Sequence, residues 1–153
     1  MDISIATFEP MPFEAIGVTL TKIERIKGTD KARFTFELDS DDLQWHADAT
    51  EKRREADVAV SGAALGSVFS KASLASEIAT WKLTVPQRKE GPPVRSEVAV
   101  MVRVPAKTQR LRFTVRDTAN GRMGTVDLAP KALESAMVVD GEAPALQPRM
   151  PAQ

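Results

Sequence analysis

Between Ser96 and Leu128 the chain alternates. Val98, Val100, Val102 and Val104 fall at every second position, with Glu97 and Arg103 between them, the spacing of a strand that turns one apolar face inward. Leu111, Phe113 and Val115 repeat the pattern against Arg110, Arg112, Thr114 and Arg116, and the run stops at Asp117-Thr118-Ala119-Asn120-Gly121. Asn-Gly readily adopts the positive φ angles of a hairpin turn, and the chain resumes at once from Met123 to Leu128. Three successive strands, each with one apolar face, commit the chain to β layers packed on one another.

The remainder of the chain carries the same pattern less cleanly. Ile16, Val18 and Leu20 keep period two, but the phase slips before Ile23 and Ile26, which predicts a β-bulge near Thr21 or Lys22. Gly28-Thr29-Asp30 supplies a turn, and Lys31 to Leu38 answers with Phe34, Phe36 and Leu38 inward, so the two segments read as a hairpin. After the break at Asp39 to Asp42, Leu43, Trp45 and Ala47 suggest a short strand. Glu55 to Gly62 forms another, completing a second hairpin, and Ala63 to Gly66 turns the chain toward Val68 and Phe69.

Ser73 to Val85 is ambiguous. Leu74, Ile78, Trp81 and Val85 have helical spacing, whereas Trp81, Leu83 and Val85 alternate, and the expectation is a short helical turn or irregular crossing that ends in a strand. Gln87 to Pro93 is a charged loop, and Lys131 to Val139 reads as one weak helix. Seven or eight short strands with polar turns predict an all-β fold, an antiparallel immunoglobulin/fibronectin III-like β-sandwich. Residues 1–12 read as a lead-in arm or edge strand, 13–130 as the sandwich domain and 131–153 as a weakly ordered tail rich in alanine and proline.

Composition narrows the function classes. Lys+Arg and Asp+Glu are equal at 21 each, so no global field draws the chain to nucleic acid or to an anionic membrane. Charge interrupts every apolar run, which argues against membrane insertion, and MDISIATFEP lacks the regions of a signal peptide. The chain has no cysteine, hence no disulfide, thiolate nucleophile or thiolate metal site. With two tryptophans, six phenylalanines and no tyrosine, the aromatic side chains are expected in the core rather than on a binding platform.

Several clusters invite a chemical reading, and each has a plainer one. Asp39, Asp41 and Asp42, with Asp48 nearby, offer hard oxygen ligands to calcium but lack the glycine and terminal glutamate of an EF-hand loop; a solvated loop is favoured. His46 is the only histidine, so any Ser-His-Asp set must use it, and its polar neighbours place it on the surface. Gly62 to Gly66, GAALG, has no Lys-Ser/Thr after it and is not a phosphate loop.

Arg110, Arg112 and Arg116, with Arg103, would form a basic stripe for an acidic partner; the favoured reading is a solvated strand face paired with acids across the sheet. Asp117 and Arg122 are expected to pair across the hairpin base. No residue is assigned a catalytic, cofactor-binding or metal-binding role, and no cofactor is implied.

Lys31 to Leu43, Ala56 to Val68 and above all Val98 to Asp127 resemble the C-terminal β-rich region of the von Willebrand factor A-related (VWFA-related) proteins of acidobacteria. The hairpin carries the likeness: Leu111, Arg112, Val115, Arg116, Asp117, Gly121, Arg122 and Gly124 fit the family's L-R-x-x-V-R-D-x-x-x-G-R-x-G-S. The family's preceding Pro-Gly and tyrosine are replaced here, with Ala106 and Lys107 after Pro105 and the tyrosine place near Gln109, and the A domain's D-x-S-x-S metal motif does not occur.

The resemblance implies a sandwich that neighbours an adhesion-type domain in an exported, extracytoplasmic bacterial protein. The expected function is a non-enzymatic binding or structural accessory module, whose partner is another protein or a neighbouring domain of the same polypeptide. The alternatives are a calcium-binding adhesion-type module or a carboxylate-based hydrolase.

Overall fold

The bulge that reconciles the two phases of the first strand is present. In the computed structural model, which describes residues 15–47, 53–66, 73–86 and 96–140, β1 (Val18–Ile26) pairs antiparallel with β2 (Lys31–Leu38) and the register shifts between Leu20 and Lys22. Gly28 in the connecting turn has φ +77°, where a Cβ would be strained. β2 also pairs along its length with β6 (Ser96–Arg103), so Phe34 and Phe36 stand opposite Val100 and Val98.

The second sheet is built on β4 (Arg53–Leu65). It lies between β5 (Ser73–Pro86) on one side and β7 (Arg110–Asp117) on the other, with the two-residue β3 (His46–Ala47) beside its first turn of chain. β7 continues through the Gly121 turn, φ +76°, into β8 (Met123–Leu128), with Leu111, Phe113 and Val115 opposite Leu128, Val126 and Gly124. With β9 (Met137–Val139) at the margin of the first sheet, the described residues thus form two sheets of four and five strands, β6-β2-β1-β9 and β3-β4-β7-β8 with β5 on β4, packed like a sandwich.

Alternation dictates what lies between the sheets. Phe34, Phe36, Leu38, Val58, Val60, Val98, Val100, Val102, Leu111, Phe113 and Val115 are buried there in one cluster. The Phe113 ring sits 4.5 Å from that of Phe34 and 5.0 Å from that of Phe36, both tilted. Gly62 makes room for them, because a Cβ at that position would come within 2.5 Å of Val102 Cγ2 and 2.9 Å of Phe113 Cε1. Trp81 is buried and its Nε1 donates to the carbonyl of Ala99 at 3.0 Å, tying β5 to the margin of the opposite sheet.

Four local expectations are corrected. Ser73 to Pro86 is strand throughout, because β5 finds a partner along the whole of β4 and that ladder outweighs the helical preference of Ala75, Ser76, Glu77 and Ala79. Ala63 to Leu65 do not turn the chain but finish β4, paired with Arg112 to Arg110. Leu43 precedes rather than joins a strand, since the chain first makes a 3₁₀ turn, Ser40–Asp42, and only His46–Ala47 pair. Lys131 to Val139 divides into a 3₁₀ segment, Pro130–Ser135, opened by its proline, and β9 (Met137–Val139), which pairs parallel to β1. The proposed arm of residues 1–12, the Val68 and Phe69 strand, the Gln87 to Pro93 loop and the end of the tail lie outside the described residues.

Candidate functional site

Outward-facing side chains of β7 form a polar row whose surroundings differ from a solvated face. Arg112 is 1% exposed and makes twin bonds to Asp127, its cross-strand neighbour on β8: Nε to Oδ1 at 2.6 Å and Nη2 to Oδ2 at 2.7 Å. This fork geometry is the strong form of an Arg–carboxylate pair. Pairing across the sheet therefore holds, but the expectation of solvation does not.

Thr114, between Ser61 on β4 and Thr125 on β8, is 0% exposed. Its Oγ1, together with Nε of Arg110 and of Arg116, is buried without a hydrogen-bond partner among the described residues. Arg103 does not belong to this row. It lies on β6 in the other sheet and binds Asp30 in the β1–β2 turn, Nη2 to Oδ2 at 2.9 Å. That hydrogen bond, reinforced by the guanidinium charge, holds the Asp30 carboxyl below its ordinary value of 3.8. The shift is opposite to that of a general acid, whose pKa must be raised. Asp30 and Glu134 share the rim of a hollow of about 220 Å³ with Arg25, Lys31, Val104 and Leu133.

The acidic loop is put to structural use. Asp42 Oδ2 accepts from the Gly17 N–H at 2.8 Å, and the Asp39 N–H donates to the Gly17 carbonyl at 3.0 Å, so the loop fastens the chain ahead of β1. Among the described residues no group of three or more His, Asp or Glu side chains stands where a metal ion would need them; Asp48 lies outside those residues. His46 is exposed, with Nε2 3.7 Å from Glu55 Oε2, which also meets Lys82 Nζ at 3.6 Å.

Asp117 and Arg122 do not form the expected pair. The Asp117 carboxylate is fully buried and accepts from the main-chain N–H groups of Gln44 at 2.6 Å and Ala119 at 2.9 Å, while Arg122 Nη1 reaches the carbonyl of Asp42. A buried carboxylate needs hydrogen-bond donors, and the main-chain N–H groups of the loop and the turn supply them. GAALG lies in and just after β4, and Gly62 faces the core.

The feature the sequence left unresolved is the first half of β5. Ile78 is 60% and Leu74 44% exposed, and Ser76, Glu77 and Thr80 are exposed as well. Among the described residues this strand pairs with β4 alone. Its signal was present in composition: from Ser73 to Thr80 there is one charge, Glu77, and no proline or lysine, although natural edge strands usually carry such groups against pairing. Comparison of the chain with protein-family models, with curated proteins and with solved structures gives no match.

Proposed function

We propose that the chain is a non-enzymatic contact module, an immunoglobulin/fibronectin III-type sandwich of the VWFA-related kind that joins protein to protein or domain to domain in an exported bacterial protein. The strand order supports the finer fold reading. With β3 and β9 set aside, β1, β2 and β6 share one sheet and β5, β4, β7 and β8 the other, so that the chain changes sheets after β2, β5 and β6 in Greek-key fashion. The hairpin from Leu111 to Gly124 supports the family reading by its residues alone.

The observation that carries the function is the exposed first half of β5. A strand edge with exposed apolar side chains offers main-chain hydrogen bonds for affinity and alternate side-chain contacts for specificity, which is recognition by strand addition. The test is selection of extended peptides from a display library on the intact protein, followed by NMR mapping of the selected sequences. Peptides that perturb the β5 amides and lose binding to Ile78→Lys support the module. Peptides that map elsewhere, or selection unchanged by Ile78→Lys, overturn it.

A further inference from the structure

We infer that the Ser76–Thr80 segment of β5 pairs antiparallel with the same segment of a second copy of this chain, about a two-fold axis at Ile78. The inference rests on the contact reading above and names its partner.

The direction of the main-chain groups follows from two hydrogen bonds at the far side of β4. Gln109 N–H donates to Leu65 O at 2.8 Å and Thr118 N–H to Asp57 O at 3.0 Å, which turns the odd-numbered residues of β4 toward β7. The even-numbered Val60 and Gly62 therefore turn toward β5, where they stand opposite Ala79 and Glu77. By the same alternation the N–H and C=O groups of Ser76, Ile78 and Thr80 turn away from β4. Their side chains share the outer face of the sheet, since Ala75 and Ala79 are the ones packed against the core.

Where the ladder can run is also bounded. At one end the β4–β5 register slips between Ala64 and Leu65, leaving Leu74 as the extra residue of a bulge that breaks regular pairing. At the other end Trp81, Leu83 and Thr84 are buried and Trp81 is tied to Ala99.

Within those limits only the axis at Ile78 pairs the whole of Ser76–Thr80 with itself. An axis at Glu77 would set two carboxylates directly opposite one another. An axis at Ser76 would drive both ladders through the bulge at Leu74. An axis at Ile78 puts the most exposed apolar side chain of the strand against its own copy. Ser76 then faces Thr80, Glu77 faces Ala79, and no like charges meet between Ser76 and Thr80. So short a ladder falls well under the roughly 1,200 Å² of a stable interface, so the dimer forms and dissociates with concentration rather than persisting.

Sedimentation velocity over a concentration series tests this directly. The wild-type protein should shift from monomer to dimer as concentration rises, and Ile78→Lys, with circular dichroism and Tm unchanged, should stay monomeric. Because the chain has no cysteine, single thiols report the register. Ile78→Cys should form a disulfide dimer under mild oxidation, whereas Ser76→Cys should not. Cross-linking through Ser76→Cys in preference to Ile78→Cys overturns the axis. A monomer at every concentration with neither thiol cross-linked overturns the dimer; if peptides still select on β5, the contact reading survives, and if they do not, both fall.

Discussion

Phe113→Ala probes the centre of the sandwich. The side chain is 1% exposed, lies between Phe34 and Phe36 with centroids at 4.5 and 5.0 Å, and rests over Gly62. Burial of such a ring contributes about 1.5–3 kcal/mol, and each tilted aromatic pair adds about 0.5–1.5 kcal/mol. With Gly62 beneath, no side chain there can move in to refill the space. The expected loss is therefore at the upper part of the usual 3–5 kcal/mol for an emptied phenylalanine site.

The neighbouring residue provides the contrast. Thr114 is equally buried on the other face, but its hydroxyl has no partner among the described residues. Thr114→Val keeps the shape and removes an unsatisfied group that costs about 1–3 kcal/mol, so it should be neutral or stabilising. Urea melts decide, read as midpoint shifts at constant m. A near-neutral Phe113→Ala beside a severely destabilised Thr114→Val would refute the register of β7, because a slip of one residue exchanges the two faces.

Four further outcomes are expected. Asp127→Asn should cost about 2 kcal/mol in the same melts, since it removes a charged hydrogen-bonding partner from buried Arg112. Gly62→Ala should cost about 1–3 kcal/mol by overpacking against Val102 and Phe113, neither of which can retreat from the core. NMR titration should find the Asp30 carboxyl below 3.8 and moving up in Arg103→Gln; because its folded value is depressed, its stabilising contribution is present above the unfolded value and disappears as pH falls through the folded one. Thermal melts with calcium and with chelator should coincide, because Asp42 is already bound to the Gly17 N–H, whereas a ligand at a hundred times its Kd would add about 2.7 kcal/mol.

Features set by neighbouring residues were legible in the sequence. The Gly28 and Gly121 turns, the bulge after Leu20 and the inward set Leu111, Phe113, Val115 each follow from a few adjacent positions. Features set by remote partners were not. Helical and extended spacing coexist in Ser73 to Val85, and the choice belongs to β4, whose thirteen residues supply the ladder. Likewise, Arg112 and Thr114 look like an outward polar face, and alternation identifies the face without saying what covers it. Asp117 and Gln44 are 73 positions apart, so no local spacing could announce their hydrogen bond. At the candidate contact strand, composition held the missing clue in the scarcity of charge, but that clue gains meaning only once the segment is known to be a strand at an edge.

The edges of the two sheets, taken in turn, explain why β5 stands apart. β9 pairs with the end of β1, Glu24 to Ile26, and the rest of that margin carries Lys22 and the bulge between Leu20 and Lys22, both of which resist further pairing. At the margin formed by β6, the Ala99 carbonyl is taken by the Trp81 indole. β8 receives the Ile16 N–H at its Met123 carbonyl, and a Cβ at Gly124 would strike the Ile16 carbonyl, so the chain entering β1 lies directly against that edge. The second half of β5 is held by the same Trp81. That leaves Ser76 to Thr80, with main-chain groups turned outward, Ile78 exposed and Glu77 the only charge. Among the described residues the other margins carry a bond, a short strand, a bulge or a close contact, whereas this one is open to an added strand, which the antiparallel match about Ile78 supplies from an identical chain.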